Sequence, residues 1–137
     1  MTFLDTSLLV RRFAGRRGRG IHGIEGGICV SEIARVEFPS AIRRRIRDGT
    51  LDLDAGLRAL VAFGRDVEAC LRVPVDAAVL DRAAVLVERH PLHSLDAIQL
   101  ASALLAADGV PGRLRFGSVD EGLNAAAEAE GLEILRA

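Results

Sequence analysis

Short apolar runs that end in acidic or hydroxyl residues alternate along this chain with longer stretches of helical period, and that alternation predicts an α/β fold. Hairpin signals are few, so the strands are expected to lie mostly parallel in a central sheet with helices on both faces, a three-layer sandwich. A third observation concerns function: acids stand just after two of the strand segments, and ligands of a parallel sheet bind in the crevice outside the carboxyl ends of its strands. With 137 residues the chain is expected to form a single domain, residues 1–137, that buries roughly two-thirds of the surface its unfolded form exposes.

The elements follow in order. Thr2-Phe3-Leu4 is a short apolar run, and Asp5-Thr6-Ser7 after it are good helix N-cap residues before Leu8-Leu9-Val10, which reads as strand, tight turn, helix. The glycine-rich stretch from Arg16 to Gly27 marks a loop before a second strand, Ile28-Cys29-Val30. Ser31 is expected to cap a helix to about Asp48, ended by Gly49, with Ile33, Val36, Phe38 and Ile42 as its buried stripe and a kink or break near Pro39. Further helices are expected from about Asp54 to Leu71 and from Asp76 to Arg89, separated by Pro74, and another from Ser94 to about Asp108. Leu114 to Gly117 reads as a late strand, Glu121 to Glu130 as a helix and Leu132 to Leu135 as a last strand.

Composition limits the chemistry. The net charge of −1 gives no global electrostatic case for nucleic-acid binding, so such a case rests on where the charges lie. All 18 basic residues are Arg, which excludes a Lys nucleophile or base. Cys29 and Cys70 lack Cys-x-x-Cys spacing and read as free thiols in a reducing compartment. There is no apolar run near the ~18 residues that span a bilayer and no secretory leader pattern at Met1, so a cytoplasmic location and no membrane partner are expected.

Four acids stand where an α/β fold gathers side chains: Asp5, Glu37, Asp96 and Asp120. Each of three has a plain alternative. Asp5 could cap the first helix, Asp96 lies in the first turn after Ser94, where a carboxylate meets the helix dipole favourably, and Ser118-Val119-Asp120-Glu121 fits a capping box. Glu37 has no such role, because it lies inside a helix on the face that turns inward, where an unpaired carboxylate is costly. Two carboxylates ~5 Å apart repel by roughly 3 kcal/mol at an effective dielectric near 20, so a cluster of them needs a cation. Oxygen-only ligation suits Mg²⁺ or Mn²⁺ rather than zinc.

The segments that carry these acids resemble the motifs of the PIN-domain ribonucleases, and most closely the VapC-type toxins of bacterial toxin–antitoxin pairs. Phe3-Leu4-Asp5-Thr6-Ser7 is similar to the first motif of that family, Ser31-Glu32-Ile33-Ala34-Arg35-Val36-Glu37-Phe38 to the second, Leu95-Asp96-Ala97-Ile98-Gln99-Leu100-Ala101 to the third, and Gly117-Ser118-Val119-Asp120 to the fourth. The resemblance spans nearly the whole chain, and the Leu-Asp-Ala-Ile run is its most specific part. It implies a PIN-like three-layer sandwich. It also implies a metal-dependent endoribonuclease in which Asp5, Glu37 and Asp96 bind Mg²⁺ or Mn²⁺, Asp120 is a fourth ligand, direct or through water, and Ser7 and Ser118 give support. Glu32 is a competitor for the second position; Glu37 is preferred because the family places its acid about two turns after the small hydroxyl residue, here Ser31. Partners implied by the resemblance are a small antitoxin that places a basic side chain in the acidic pocket, an RNA substrate, and a second copy in a homodimer.

Arg11, Arg12, Arg16, Arg17 and Arg19 are candidates for contact with RNA phosphates, with a solvated basic loop as the alternative. Arg43, Arg44, Arg45 and Arg47 fall on several faces of one helix and read as solvated surface. His90, His93 and Asp96 recur every three residues, as zinc ligands on a helix do, but Pro91 keeps His90 and His93 from one regular turn. A receiver-like signalling domain also clusters acids at strand ends, yet its phosphate switch uses a Lys. The remaining alternative is a non-catalytic PIN-like RNA-binding or scaffold protein.

Overall fold

The computed structural model describes residues 1–136. Five strands form one sheet: β1 (Thr2–Leu4), β2 (Ile28–Ser31), β3 (Leu71–Val73), β4 (Arg115–Gly117) and β5 (Glu133–Ile134). They lie in the order β3-β2-β1-β4-β5 with every neighbouring pair parallel. Six helices connect and cover them: α1 (Thr6–Ala14), α2 (Ala34–Arg47), α3 (Leu53–Asp66), α4 (Ala77–Arg89), α5 (Ser94–Gly109) and α6 (Glu121–Ala129). The strand order reverses at β1, so chains leave the sheet in opposite directions from its two sides and open a crevice there.

Side chains of a strand alternate between its faces, and that period divides the core in two. Phe3 and Phe116, paired across β1 and β4 with ring centroids 5.7 Å apart, join Cys29 on one face beneath α4, α5 and α6. Leu4, Ile28 and Val30 lie on the other face beneath α1, α2 and α3. There Phe38 of α2 stacks on Phe63 of α3 at 4.0 Å, while Phe13 of α1 meets both rings edge-on. The three layers expected from the sequence are therefore present. Cys29 and Cys70 are free thiols, and burial pushes the Cys29 thiol up to about 12.

Several boundaries differ from the sequence-based expectation. Residues 67–71 do not extend the third helix; α3 stops at Asp66, a short 3-10 turn covers Val67–Ala69, and Leu71–Val73 forms edge strand β3, paired to Cys29, Val30 and Ser31 of β2. Ser31 ends β2 rather than opening α2, although its hydroxyl still accepts the Ile33 N–H at 3.2 Å and so helps turn the chain into the helix. The helix continues through Pro39 without a break. Val36 is not in the buried stripe but 70% exposed. Two residues at 100° each separate it from Phe38, which places it on the opposite side of α2 from the buried Ala34, Phe38 and Ile42.

The loop between α1 and β2 keeps its shape with three glycines of positive φ, at Gly20, Gly23 and Gly26. No helix among the described residues is long and apolar enough to cross a membrane.

Candidate active site

Asp5 leaves the end of β1 and serves as the N-cap of α1, where its Oδ1 accepts the Leu8 N–H at 3.0 Å and the Ser7 hydroxyl at 2.7 Å. Its Oδ2 accepts the Ser118 hydroxyl at 2.8 Å, from the turn that follows β4. The cap reading and the site reading of Asp5 therefore both hold. The side chain is only 4% exposed. Burial pushes its carboxyl above the ordinary value; the Leu8, Ser7 and Ser118 donors pull it back, and the negative Asp96 pushes it further up.

Glu37 lies in the first turn of α2 and is tied by one oxygen. Its Oε1 accepts the Thr6 hydroxyl at 2.9 Å and the Gln99 amide at 2.7 Å. The same Gln99 nitrogen also lies 2.9 Å from the Thr6 hydroxyl oxygen. Gln99 is 3% exposed and its Oε1 accepts no bond among the described residues. The reverse amide orientation would set that oxygen against the Glu37 carboxylate oxygen, so Glu37 selects the orientation observed. Glu32, the competitor for this position, faces away and pairs instead with Arg35 at 3.1 Å and Arg72 at 3.7 Å.

Asp96 follows in the first turn of α5 and is half-buried. Burial is the largest influence raising its carboxyl, followed by the charge of Asp120, with His93 acting in the opposite sense. The charge of Asp120 thus acts on Asp96, and that of Asp96 on Asp5.

Asp5, Glu37 and Asp96 line one cleft of about 740 Å³ at the carboxyl edge of the sheet, together with Thr6, Ser7 and Gln99. Asp120 is exposed; it caps α6 through the Leu123 N–H at 3.1 Å, and its neighbour Val119 reaches the cleft wall instead. Ser7 and Ser118 lie 3.2 Å apart and link α1 to the turn after β4. Among the described residues, no group of three or more His, Cys, Asp or Glu side chains stands close enough to hold one metal ion. The chemistry of the donor set nonetheless fits a hard divalent cation: three carboxylates on one cleft wall, two of them with raised carboxyls, and no sulfur or imidazole among the lining residues.

The far end of the cleft is basic. Arg44 and Arg45, expected to be solvated surface, line it beside Ser40 and Thr50. Their spacing from Glu37 could have placed them, since positions seven and eight residues on return to the same helix face. Sequence reasoning does not single out Thr6 and Gln99 either; each lies within three residues of an acid in its own motif, but only the fold brings them together. The amino-terminal arginines lie elsewhere. Arg12 donates to the Gly20 and His22 carbonyls, both at 2.6 Å, and so holds the loop; Arg11, Arg16, Arg17 and Arg19 are exposed. His90 is 2.8 Å from Glu130, and His93 precedes α5 on the surface, so the histidines share no site.

The fold that carries these residues has counterparts among known proteins. The family model of the PIN domain matches residues 2–132, and the chain belongs to that family. Among solved structures it is similar to a toxin–antitoxin complex from Klebsiella pneumoniae, with 17% identity, a TM-score of 0.68, and 99% of this chain and 97% of that chain covered. It is also similar to VapC20 of Mycobacterium tuberculosis, described as a sarcin-ricin-loop-cleaving toxin, with 20% identity, a TM-score of 0.67 and both chains covered in full. FitAcB from Neisseria gonorrhoeae gives 14% identity and a TM-score of 0.65 over 99% of this chain and 97% of that one. A comparison with curated protein sequences finds no match.

Proposed function

We propose that this chain is a divalent-metal-dependent endoribonuclease that hydrolyses a phosphodiester of single-stranded or loop RNA, and that it is the toxin of a VapC-type toxin–antitoxin pair. The observation that carries the proposal is the set of Asp5, Glu37 and Asp96 on one cleft wall in a chain of the PIN family. Asp5, Glu37 and Asp96 would hold Mg²⁺ or Mn²⁺, with Asp120, whose charge acts on Asp96, as a fourth ligand, direct or through water. When bound, such a cation supplies a water of lowered pKa and stabilises the departing oxygen of an in-line displacement.

The chain's own residues prepare for that chemistry. Ser7 and Ser118 hold both oxygens of Asp5, which keeps the carboxylate oriented in a buried place where it would otherwise favour its neutral form. Thr6 and Gln99 hold Glu37 by Oε1 and, among the described residues, leave Oε2 without a side-chain bond. The structural neighbour described as a toxin–antitoxin complex supports a small antitoxin as partner, whose basic side chain would complement the acidic wall. A homodimer in the cytoplasm completes the reading.

Incubation of the purified protein with single-stranded RNA and Mn²⁺ tests this directly. Asp5→Asn, Glu37→Gln and Asp96→Asn keep shape and lose charge, and each should lower cleavage by about 10²-fold or more while the fold survives. Cleavage by Asp96→Asn at the parent rate would overturn the assignment. A parent protein that binds RNA without cutting it would mark a non-catalytic member of the family.

A further inference from the structure

The acidic wall accounts for only one end of the cleft. Helix α2 presents Glu37, Ser40 and Arg44 at intervals of three or four residues, with Asp48 just past its end, so one helix face runs from the carboxylates to a basic rim. Arg44 stands seven residues beyond Glu37, about 10 Å along the axis at roughly 1.5 Å per residue. Among the described residues neither Arg44 nor Arg45 forms an ion pair. Asp48, the acid on the same rim, is occupied by Thr50, whose hydroxyl and N–H donate to its Oδ1 at 2.7 and 3.2 Å. Asp48 feels the charges of Arg45 and Arg44 without pairing with either, so two exposed guanidinium groups keep their donors for a ligand on the wall of a cleft whose other end is acidic.

We propose that Arg44 and Arg45 form a phosphate-binding rim that holds the backbone of single-stranded RNA on one side of the bond placed at Asp5, Glu37 and Asp96, so that α2 sets the direction in which the strand leaves the acidic wall. The proposal deepens the nuclease reading and rests on it for the position of the cut. A guanidinium fork suits a phosphate's paired oxygens, and the Ser40 hydroxyl is a further small donor on the same rim. The polarity of the cleft explains the division of labour: carboxylates alone repel a polyanion, and nearby fixed cations offset that repulsion where the strand passes. Phosphate contacts of this kind hold the strand without reading its bases. The basic stretch at Arg16 to Arg19 does not line this cleft and cannot serve the same end of it.

The helix supplies its own control. Arg43 and Arg47 are exposed on α2, and neither lines the cleft, so Arg43→Ala/Arg47→Ala removes equal charge from the same helix. Binding of a fluorescent oligouridylate to the full chain is measured in EDTA, where no turnover occurs, across a series of salt concentrations. Arg44→Ala/Arg45→Ala should weaken binding by about tenfold or more, and should flatten the log–log salt slope by about 0.7 for each phosphate that is no longer neutralised. The Arg43/Arg47 pair should leave both nearly unchanged, and thermal melts of both pairs check that the fold is kept.

Equal losses in the two pairs would overturn the proposal, as would a parent that does not bind the oligonucleotide. An oligoglutamate peptide of matched charge is the second probe. If it binds the parent as tightly as the RNA does and loses as much in Arg44→Ala/Arg45→Ala, the rim recognises an acidic protein segment and the proposal fails. Cleavage in Mn²⁺ is scored separately. A parent that binds through Arg44 and Arg45 but does not cut defeats the nuclease reading alone; one that cuts while the two pairs behave alike defeats the rim alone.

Discussion

At Asp5 one side chain performs two tasks that a sequence presents as alternatives. It caps α1 through the Leu8 N–H, and it is also a member of the acidic wall with a carboxyl raised by burial. Asp96 is raised as well, by burial first and then by Asp120. For an acid whose folded value lies above its unfolded one, stability is fully present below the unfolded value of 3.8 and is lost as pH rises through the folded value. Glu130 has the opposite sense: His90 holds it below its ordinary value, so its contribution is present above that value of 4.5 and is lost as pH falls through the folded one. Comparing parent with Asp96→Asn cancels that background. In EDTA at neutral pH, Asp96→Asn should melt no lower than the parent, and the difference should shrink as pH falls toward about 4. Thermal melts of both proteins across that range check it, and a variant that melts several degrees lower at every pH would make Asp96 a purely structural first-turn acid.

The acids themselves could be found from the chain because each stands at a fixed place relative to a strand end or a hydroxyl residue. Their holders could not. Thr6 and Gln99 are separated by 93 positions and meet each other and Glu37 only in the fold, so no local pattern marks them. Arg12 shows the converse, since a basic cluster suggests phosphate contact while the fold commits its guanidinium to the Gly20 and His22 carbonyls.

Among the elements, α2 connects stability to chemistry. Its inner face carries Ala34, Phe38 and Ile42 into the core, and Glu37 stands beside Phe38 at the cleft. Phe38 is fully buried against Phe63 and Phe13, so Phe38→Ala should cost about 3–5 kcal/mol by removing a ring and leaving a cavity among α1, α2 and α3. Val36→Ala, on the exposed face of the same helix, should stay within about 0.5 kcal/mol of the parent. Urea unfolding measures both; similar costs would mean that the inner and outer faces of α2 have been assigned the wrong way round.

The alternation of strands and helices was legible because period 2 and period 3.6 separate well over the longer segments. Edge strand β3 was not. Its three residues, Leu71-Arg72-Val73, are too few to show alternation, and the helical pattern before them runs on through the 3-10 turn without a breaker until Pro74. Val36 misled for a related reason: an apolar residue near an apolar stripe is not on it unless the angle fits.

On the scale of the whole molecule, the site draws on every layer. Asp5 comes from the central strand, Glu37 from α2 above one face of the sheet, and Asp96 with Gln99 from α5, which packs on the other. The unfolded chain has no such arrangement, so a cation that binds the cleft binds the folded form alone and stabilises it by RT ln(1 + [L]/Kd), about 2.7 kcal/mol at a hundredfold excess over Kd. For a chain of this size that is a rise in Tm on the order of 10 °C.

The central proposal is that the cleft lined by Asp5, Glu37 and Asp96 binds a divalent cation, and a thermal melt with millimolar Mn²⁺ against EDTA tests it most directly. Parent protein should gain in Tm with metal, and Asp5→Asn, Glu37→Gln and Asp96→Asn should each lose most of that gain while remaining folded in EDTA. A parent whose Tm does not move with Mn²⁺, or three variants that keep the full gain, would contradict the account.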